Sequence, residues 1–367
     1  MRSIYSCIFL WVVGAGPLLQ AQSYEDLKAE IQKILYLDAA VDFVQTPGLI
    51  IGGWHEGQQF QYSFGYTDTE QSDTLKGESL FCIGEVSQLF TALLAHQLER
   101  AGQIGLKDSL VQVSIKKSSL NQLIISDLIN HKAALPTLPN NQADGPEAYT
   151  SKDLEQWFQS GDCASDPDLD YRFSNLHYAL LQYELEARTD NPLQQLFEQH
   201  LFTEIKLPDT RVFSGAEALS QGYSQAGIVV DPKPFQAYQG AKGMISTMDD
   251  LLQFSRWLLD NYGNAAWSPY WAKNQLKAGP QIKKRLYAGQ GWHIFDIRKF
   301  PAIWLHTGTA NGHRAFIGIV PETQTAVVVL SNSPHGLNGF GFLVLRMLNN
   351  NWKLKAKGLK HSSKSSH

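Results

Sequence analysis

Glu85 and Gln88 stand three residues apart at the start of an apolar stretch, Ile83-Gly84-Glu85-Val86-Ser87-Gln88-Leu89-Phe90-Thr91-Ala92-Leu93-Leu94. Val86, Leu89, Phe90, Leu93, Leu94, Gln97 or Leu98, and Ala101 recur at helical spacing before Gly102, which predicts a helix with one apolar face and a glycine stop. Glu85 then falls in the first turn and Gln88 on the same side, so both polar groups point to one place. A carboxylate at a helix N-terminus is favoured by the helix dipole by roughly a few tenths of a kcal/mol, which explains its tolerance there and no more. Oriented by a neighbouring amide, the same carboxylate can act as a general base toward water.

Other near-motifs carry less. Ser114-Ile115-Lys116-Lys117 has a serine and a lysine at helical spacing, but its polar surroundings predict a surface loop. Gly222-Tyr223-Ser224-Gln225-Ala226 half matches a nucleophile elbow without a clear strand before it or helix after it. His55-Glu56 begins a zinc-protease pattern that Gln59 ends without a second histidine. Phosphate-binding and dinucleotide-binding glycine signatures are absent and the 11 histidines are scattered, so neither a nucleotide nor a metal cofactor is expected.

The elements that must position Glu85 follow from periodicity. Ser23 and Asp26 read as start signals for a helix with Leu27, Ile31, Ile34 and Leu35 on one face. Leu49-Ile50-Ile51 and the alternating Phe60, Tyr62 and Phe64 predict two strands. Helical periods dominate from about 125 to 260, including Leu176 to Glu186, Leu193 to Leu201 and Asp249 to Leu259. Ala302 to Leu305, Ala315 to Val320 and Ala326 to Leu330 read as sheet-core strands, with a closing helix near Phe340 to Leu348. Strands, helices, strands and a last helix predict one sheet built from both ends of the chain with a helical region inserted.

With 43% apolar residues among 367, the chain has material for a sizeable core. A formal charge of −4 gives no general attraction to nucleic acid or anionic membrane. Met1-Arg2, an apolar run from Ile4 to Leu19 and Gln20-Ala21-Gln22 have the layout of a signal peptide cut after Ala21, and the run is too short and too rich in Gly and Pro for a stable membrane span. Beyond the signal, Cys82 and Cys163 are compatible with one bridge or with two unrelated thiols. Lysines, serines and no acid from Trp352 onward predict a disordered basic tail over 353–367.

Five segments, in order from about residue 45 to 350, resemble the serine β-lactamase and penicillin-binding D,D-peptidase superfamily, nearest to its class C and esterase-like branch. They are the segment at 83–94, where the family has SxxK; Leu128-Ile129-Asn130-His131-Lys132-Ala133-Ala134-Leu135-Pro136, similar to LLTHTSGLP; Tyr171-Arg172-Phe173-Ser174-Asn175, similar to the YSN motif; Met244-Ile245-Ser246-Thr247-Met248-Asp249-Asp250-Leu251, similar to STxxDL; and His306-Thr307-Gly308 with Gly312-His313-Arg314, similar to the third motif. The resemblance implies an α/β (α+β) fold, an antiparallel sheet flanked by helices beside a mainly helical region with the site in the cleft between them. It implies sheet regions of about 22–80 and 285–352 and a helical region of about 81–284, within a domain spanning 22–352.

The positions that match the family's catalytic groups are Glu85, Gln88, Phe173, Asn175 and the strand residues His306, Thr307 and Gly308. Glu85 lacks the hydroxyl that forms an acyl ester, the Gln88 amide cannot accept a proton near neutral pH, and Phe173 lacks the phenol. Acid and base groups are each worth about 10²- to 10⁴-fold in rate and a nucleophile acting within a unit on the order of 10⁶, so no serine mechanism survives. A free carboxylate at Glu85 would also repel an anionic ligand at about 4 Å by roughly 4 kcal/mol, and His306 is the expected neutraliser. The expectation is an exported, cleft-binding protein that has lost acyl transfer and takes a small molecule or peptide, with no nucleic acid partner. The alternative is a hydrolase of a small ester, amide or peptide in which Glu85 and His306 activate water.

Overall fold

The computed structural model describes residues 16–38, 41, 43–110, 123–132, 135–142, 145–160, 171–271, 276–277, 286–296, 300–335 and 337–349. Most of the predicted signal segment, the basic tail, Ser114 to Lys117 and Cys163 lie outside them. Helix α1 (Gly16–Lys33) starts ahead of Ser23 and Asp26 and runs through Ala21 and Gln22. The predicted face is kept: Leu27, Ile31, Ile34 and Leu35 are buried.

Strands β1 (Gly48–His55) and β2 (Gln58–Gly65) form a hairpin whose turn, Glu56-Gly57, has positive φ at both residues. The chain then forms β3 (Phe81–Cys82), one tight turn at Gly84–Val86 and α2 (Ser87–Arg100). A helical section follows: α3 (Ile125–Ile129), α4 (Ser151–Ser160), α5 (Asn175–Thr189), α6 (Leu193–Phe197) and α7 (Thr203–Ile205). Short strands β4 (Arg211–Val212), β5 (Gly222–Tyr223) and β6 (Val229–Val230) lead to α8 (Gln239–Lys242), β7 (Met244–Ser246), α9 (Met248–Asp260) and α10 (Ser268–Trp271). The chain returns through β8 (Leu276–Lys277), β9 (Leu286–Gly289), β10 (Trp292–Phe295), β11 (Ile303–Ala310), β12 (His313–Val320) and β13 (Thr325–Ser331) to α11 (Leu337–Asn349).

One eight-stranded antiparallel sheet, in the order β2-β1-β13-β12-β11-β10-β9-β8, joins strands from both ends of the chain. Its middle strands are covered on both faces, which is why they read as unbroken apolar runs. Leu49, Ile51, Val327 and Val329 face a core shared with α1 and α11, while Ile50, Val328 and Leu330 face the larger core that holds α2, α5 and α9. α2 sits at the centre of that larger core, so Ser87 to Leu98 are buried all round, and the predicted single apolar face is too narrow. Ala101, expected on it, is exposed past the helix end.

The half match to a nucleophile elbow at Gly222 to Ala226 is not one, as its missing flanking elements implied: β5 pairs with β6 in a hairpin. The Ser224 hydroxyl accepts N–H groups of Ala226 and Ile228, each at 3.2 Å, and so serves the turn. Cys82 is a buried thiol, pushed up to about 11 by that burial.

A group of buried histidines packs around Phe173. His131, His293 and His306 surround Phe173 at centroid distances of 4.7, 5.8 and 6.2 Å, and His177 meets His131 edge to face at 5.2 Å. Burial disfavours the charged imidazole and lowers His177 to about 3, His293 to about 4 and His313, on β12, to about 4. Burial, then the neighbouring His293, lowers His306 to about 3. The folded chain therefore binds fewer protons than the unfolded chain below the ordinary histidine value, and stability present above about pH 6.5 is lost as pH falls toward 4. Denaturant midpoints should drop steadily from pH 7 to 5, each histidine contributing up to about 1.4 kcal/mol per pH unit, and His177→Phe should flatten the slope. A midpoint that stays level across that range contradicts the packing.

Candidate active-site cleft

Two glycines bring the start of α2 against β11. Gly84 has φ +54, and a Cβ on it would lie 2.3 Å from the Thr309 nitrogen; a Cβ on Gly308 would lie 2.1 Å from the Ile83 oxygen and 2.5 Å from the Glu85 nitrogen. Only glycine allows this backbone-to-backbone approach. On the strand side, β10 pairs with β11 only from Ile303 to Leu305, so from His306 onward the edge that faces away from β12 is open. Thr309 therefore has a backbone N–H that no strand claims.

Glu85 takes it. Its Oε2 accepts the Thr309 N–H at 2.8 Å, its Oε1 accepts Asn175 Nδ2–H at 3.1 Å, and Lys242 Nζ lies 3.5 Å from the same Oε1. The pair is mostly enclosed, with 17% of the Glu85 side chain and 14% of the Lys242 side chain exposed. Lys242 also lies 5.1 Å from the centre of the Phe235 ring, which suits an ammonium group leaving bulk water.

Behind the carboxylate runs a chain of hydrogen bonds with one direction. The Ser174 N–H donates to His131 Nδ1 at 3.4 Å, so the other ring nitrogen carries the proton. That nitrogen, Nε2, donates to Gln88 Oε1 at 3.2 Å, and Gln88 Nε2 donates to Asn175 Oδ1 at 2.9 Å. Asn175 then donates to Glu85, an acceptor at both oxygens. A backbone donor at one end and a carboxylate at the other leave a single consistent orientation for both amides. Local structure holds the middle: Ser174 caps α5 by accepting Leu176 N–H and donates to the carbonyls of Pro136 and Thr137, which places Asn175 at the first helical position.

The residues expected to form the site are thus partly assembled. Glu85, Gln88 and Asn175 meet directly, and Gly308 permits the approach. Phe173 packs among the histidines, below the carboxylate relay. Thr307 shares strand β11, but alternation turns its side chain to the face opposite His306 and Gly308. His306 does not neutralise Glu85. It is buried, its Nδ1–H donates to the Gly291 carbonyl at 2.6 Å, and burial keeps it neutral. The cation in ion-pair contact is Lys242, a lone lysine among small residues in Gly240-Ala241-Lys242-Gly243 just before the Met244 motif, and the half-buried Arg314 also feels the Glu85 charge. The isolation of Lys242 there is the one sequence signal that could have found it. His131 lay inside a recognised segment without a role, and Tyr171, whose hydroxyl is 3.2 Å from His293 Nε2, adds a further polar contact beside Phe173.

Past Thr309 the β11–β12 turn opens on a cavity of about 480 Å³ lined by Glu147, Asp231, Lys233, Asn311 and Gly312 among others. Asn311 pins its far wall, accepting the Lys233 N–H at 3.1 Å and donating to the Lys233 carbonyl at 3.0 Å. Among the described residues no cluster of three His, Cys, Asp or Glu side chains could hold a metal ion, and no helix is long and apolar enough to cross a membrane.

Four matches to known proteins bear on this arrangement. A β-lactamase of Escherichia coli (strain K12) is 22% identical over 330 residues, covering 78% of this chain and 84% of that protein. A class C β-lactamase from Rhodobacter sphaeroides superimposes with a TM-score of 0.71 at 18% identity over 88% of this chain and 99% of that one. A β-lactamase/D-alanine carboxypeptidase from Pseudomonas syringae does so with a TM-score of 0.73 at 18% identity over 90% and 99%. At these identities the two structures establish the fold alone: an antiparallel sheet with helices on both faces. A model of the Beta-lactamase family matches residues 37–343, most of the chain. This chain belongs to the Beta-lactamase family.

Proposed function

We propose that this family member has lost serine acyl transfer and acts, after export, as a binding protein that takes a small molecule or peptide in its cleft. The observation that carries the reading is the Glu85 carboxylate, at the position that the motif resemblance gives to the nucleophile, bonded to the Thr309 N–H. Acyl transfer to a carboxylate would give a mixed anhydride, less stable than the ester or amide it came from. Backbone donors work on acyl substrates by holding the developing oxyanion. Here the Thr309 donor is already engaged, so a substrate carbonyl would have to displace a charged acceptor with a neutral one. Gln88, donating and accepting within the relay, has no basic lone pair for the proton.

The alternative, water activation by Glu85 with His306 as acid, loses support from the same geometry. His306 is held neutral by burial and has its Nδ1–H committed to Gly291. Glu85 has both oxygens engaged by three donors. The cavity beside the β11–β12 turn, with Glu147, Asp231 and Lys233 on its walls, favours a small polar ligand for the binding reading.

The folded protein should turn over neither a chromogenic β-lactam, p-nitrophenyl esters nor D-Ala-D-Ala peptides faster than the unfolded chain, and intact mass should show no covalent adduct. Turnover that disappears in Glu85→Ala, or an acyl mass on the protein, would overturn the reading. Export is tested separately by N-terminal sequencing of protein recovered outside the cytoplasm: the mature chain should begin at Gln22, and a chain retained inside with Met1 at its start contradicts it.

A further inference from the structure

Three donors from separate parts of the chain converge on one carboxylate: the Thr309 N–H on the open edge of β11, Asn175 Nδ2–H at the start of α5, and the Lys242 ammonium at the end of α8. Each donor has contacts besides the one to the Glu85 side chain. Gly84 and Gly308 set the strand edge, Gln88 and Ser174 set Asn175, and the Phe235 ring lies beside Lys242. Together they supply one cation and two neutral N–H groups to a carboxylate's two oxygens, which is how proteins recognise a bound carboxylate.

We infer that Thr309 N–H, Asn175 Nδ2 and Lys242 Nζ form a binding site for a small monocarboxylate, and that Glu85 fills it as a tethered internal ligand. Tethering gives Glu85 an effective concentration on the order of millimolar or above, so a free carboxylate does not enter the wild-type site until Glu85 is moved or removed. The cleft is in this sense closed by its own chain. This rests on the proposed binding role and restricts it: in the wild type a carboxylate ligand enters only when Glu85 moves out of the site. Turnover or an acyl adduct in the wild type would defeat the loss of acyl transfer, whereas the carboxylate response is read in Glu85→Ala with no acyl substrate present, so the two can fail separately.

Glu85→Ala empties the site and leaves Lys242 enclosed without its partner. Thermal unfolding is followed for the wild type, Glu85→Ala and Glu85→Ala/Lys242→Met, in sodium formate or acetate against sodium chloride at equal ionic strength. Glu85→Ala is expected to unfold at a lower temperature than the wild type and to regain at least about 2 °C with formate or acetate in a saturable manner. The wild type and the double variant should show no response beyond that to chloride. If Glu85→Ala does not fold in chloride, its refolding yield is measured instead, and formate or acetate should raise it where chloride does not. No saturable difference between carboxylate and chloride, or an equal response in the wild type or the double variant, overturns the inference.

Discussion

The approach of Gly84 to Gly308 is the constraint on which the rest of the cleft depends. Because neither residue has a Cβ, the turn before α2 lies directly on the edge of β11, which brings the Glu85 carboxylate within hydrogen-bonding distance of the Thr309 N–H. That edge is open only because β10 leaves β11 after Leu305. The eight-stranded sheet supplies a rigid strand, the central and fully buried α2 supplies a rigid helix, and the site is the seam between them.

What the seam does is decided by charge. At 3.5 Å and an effective dielectric near 20, Glu85 and Lys242 attract by roughly 5 kcal/mol before the cost of enclosing both ions, which cancels much of it. The two neutral donors, Thr309 N–H and Asn175 Nδ2–H, offset part of that cost by each satisfying one carboxylate oxygen. The neutral imidazoles beneath add no charge at neutral pH, and they bring polar atoms into the core without a counter-ion. The same scaffold that elsewhere can present a nucleophile here presents an ion pair with its oxygens already satisfied.

Much of the fold was legible in the sequence because local periodicity reports burial directly. The runs Ala315 to Val320 and Ala326 to Leu330 became central strands, and Leu176 to Glu186 and Asp249 to Leu259 fell inside α5 and α9. The convergence of Glu85, Gln88 and Asn175 was legible through ordered motifs. Its counter-ion was not: Lys242 follows no period and pairs with a residue 157 positions away (242 minus 85), so only the tertiary fold brings the charges together. His306 failed as the expected cation for a related reason. Sequence shows a titratable residue on a strand, while burial, which decides whether it titrates near pH 7, depends on what packs over it. Ser23 and Asp26 resemble caps in isolation, but the helix already runs through both, because cap-type residues are also tolerated inside a helix whose other face is packed.

A double-mutant cycle on Glu85 and Lys242, read as unfolding free energy for Glu85→Ala, Lys242→Ala and the pair, tests most directly whether the carboxylate is held in the cleft by its own chain. The account predicts that each single change destabilises the protein and that the double change costs less than their sum, by at least about 1 kcal/mol. Effects that add to within about 0.5 kcal/mol would mean that Glu85 and Lys242 do not act on each other, and would contradict it.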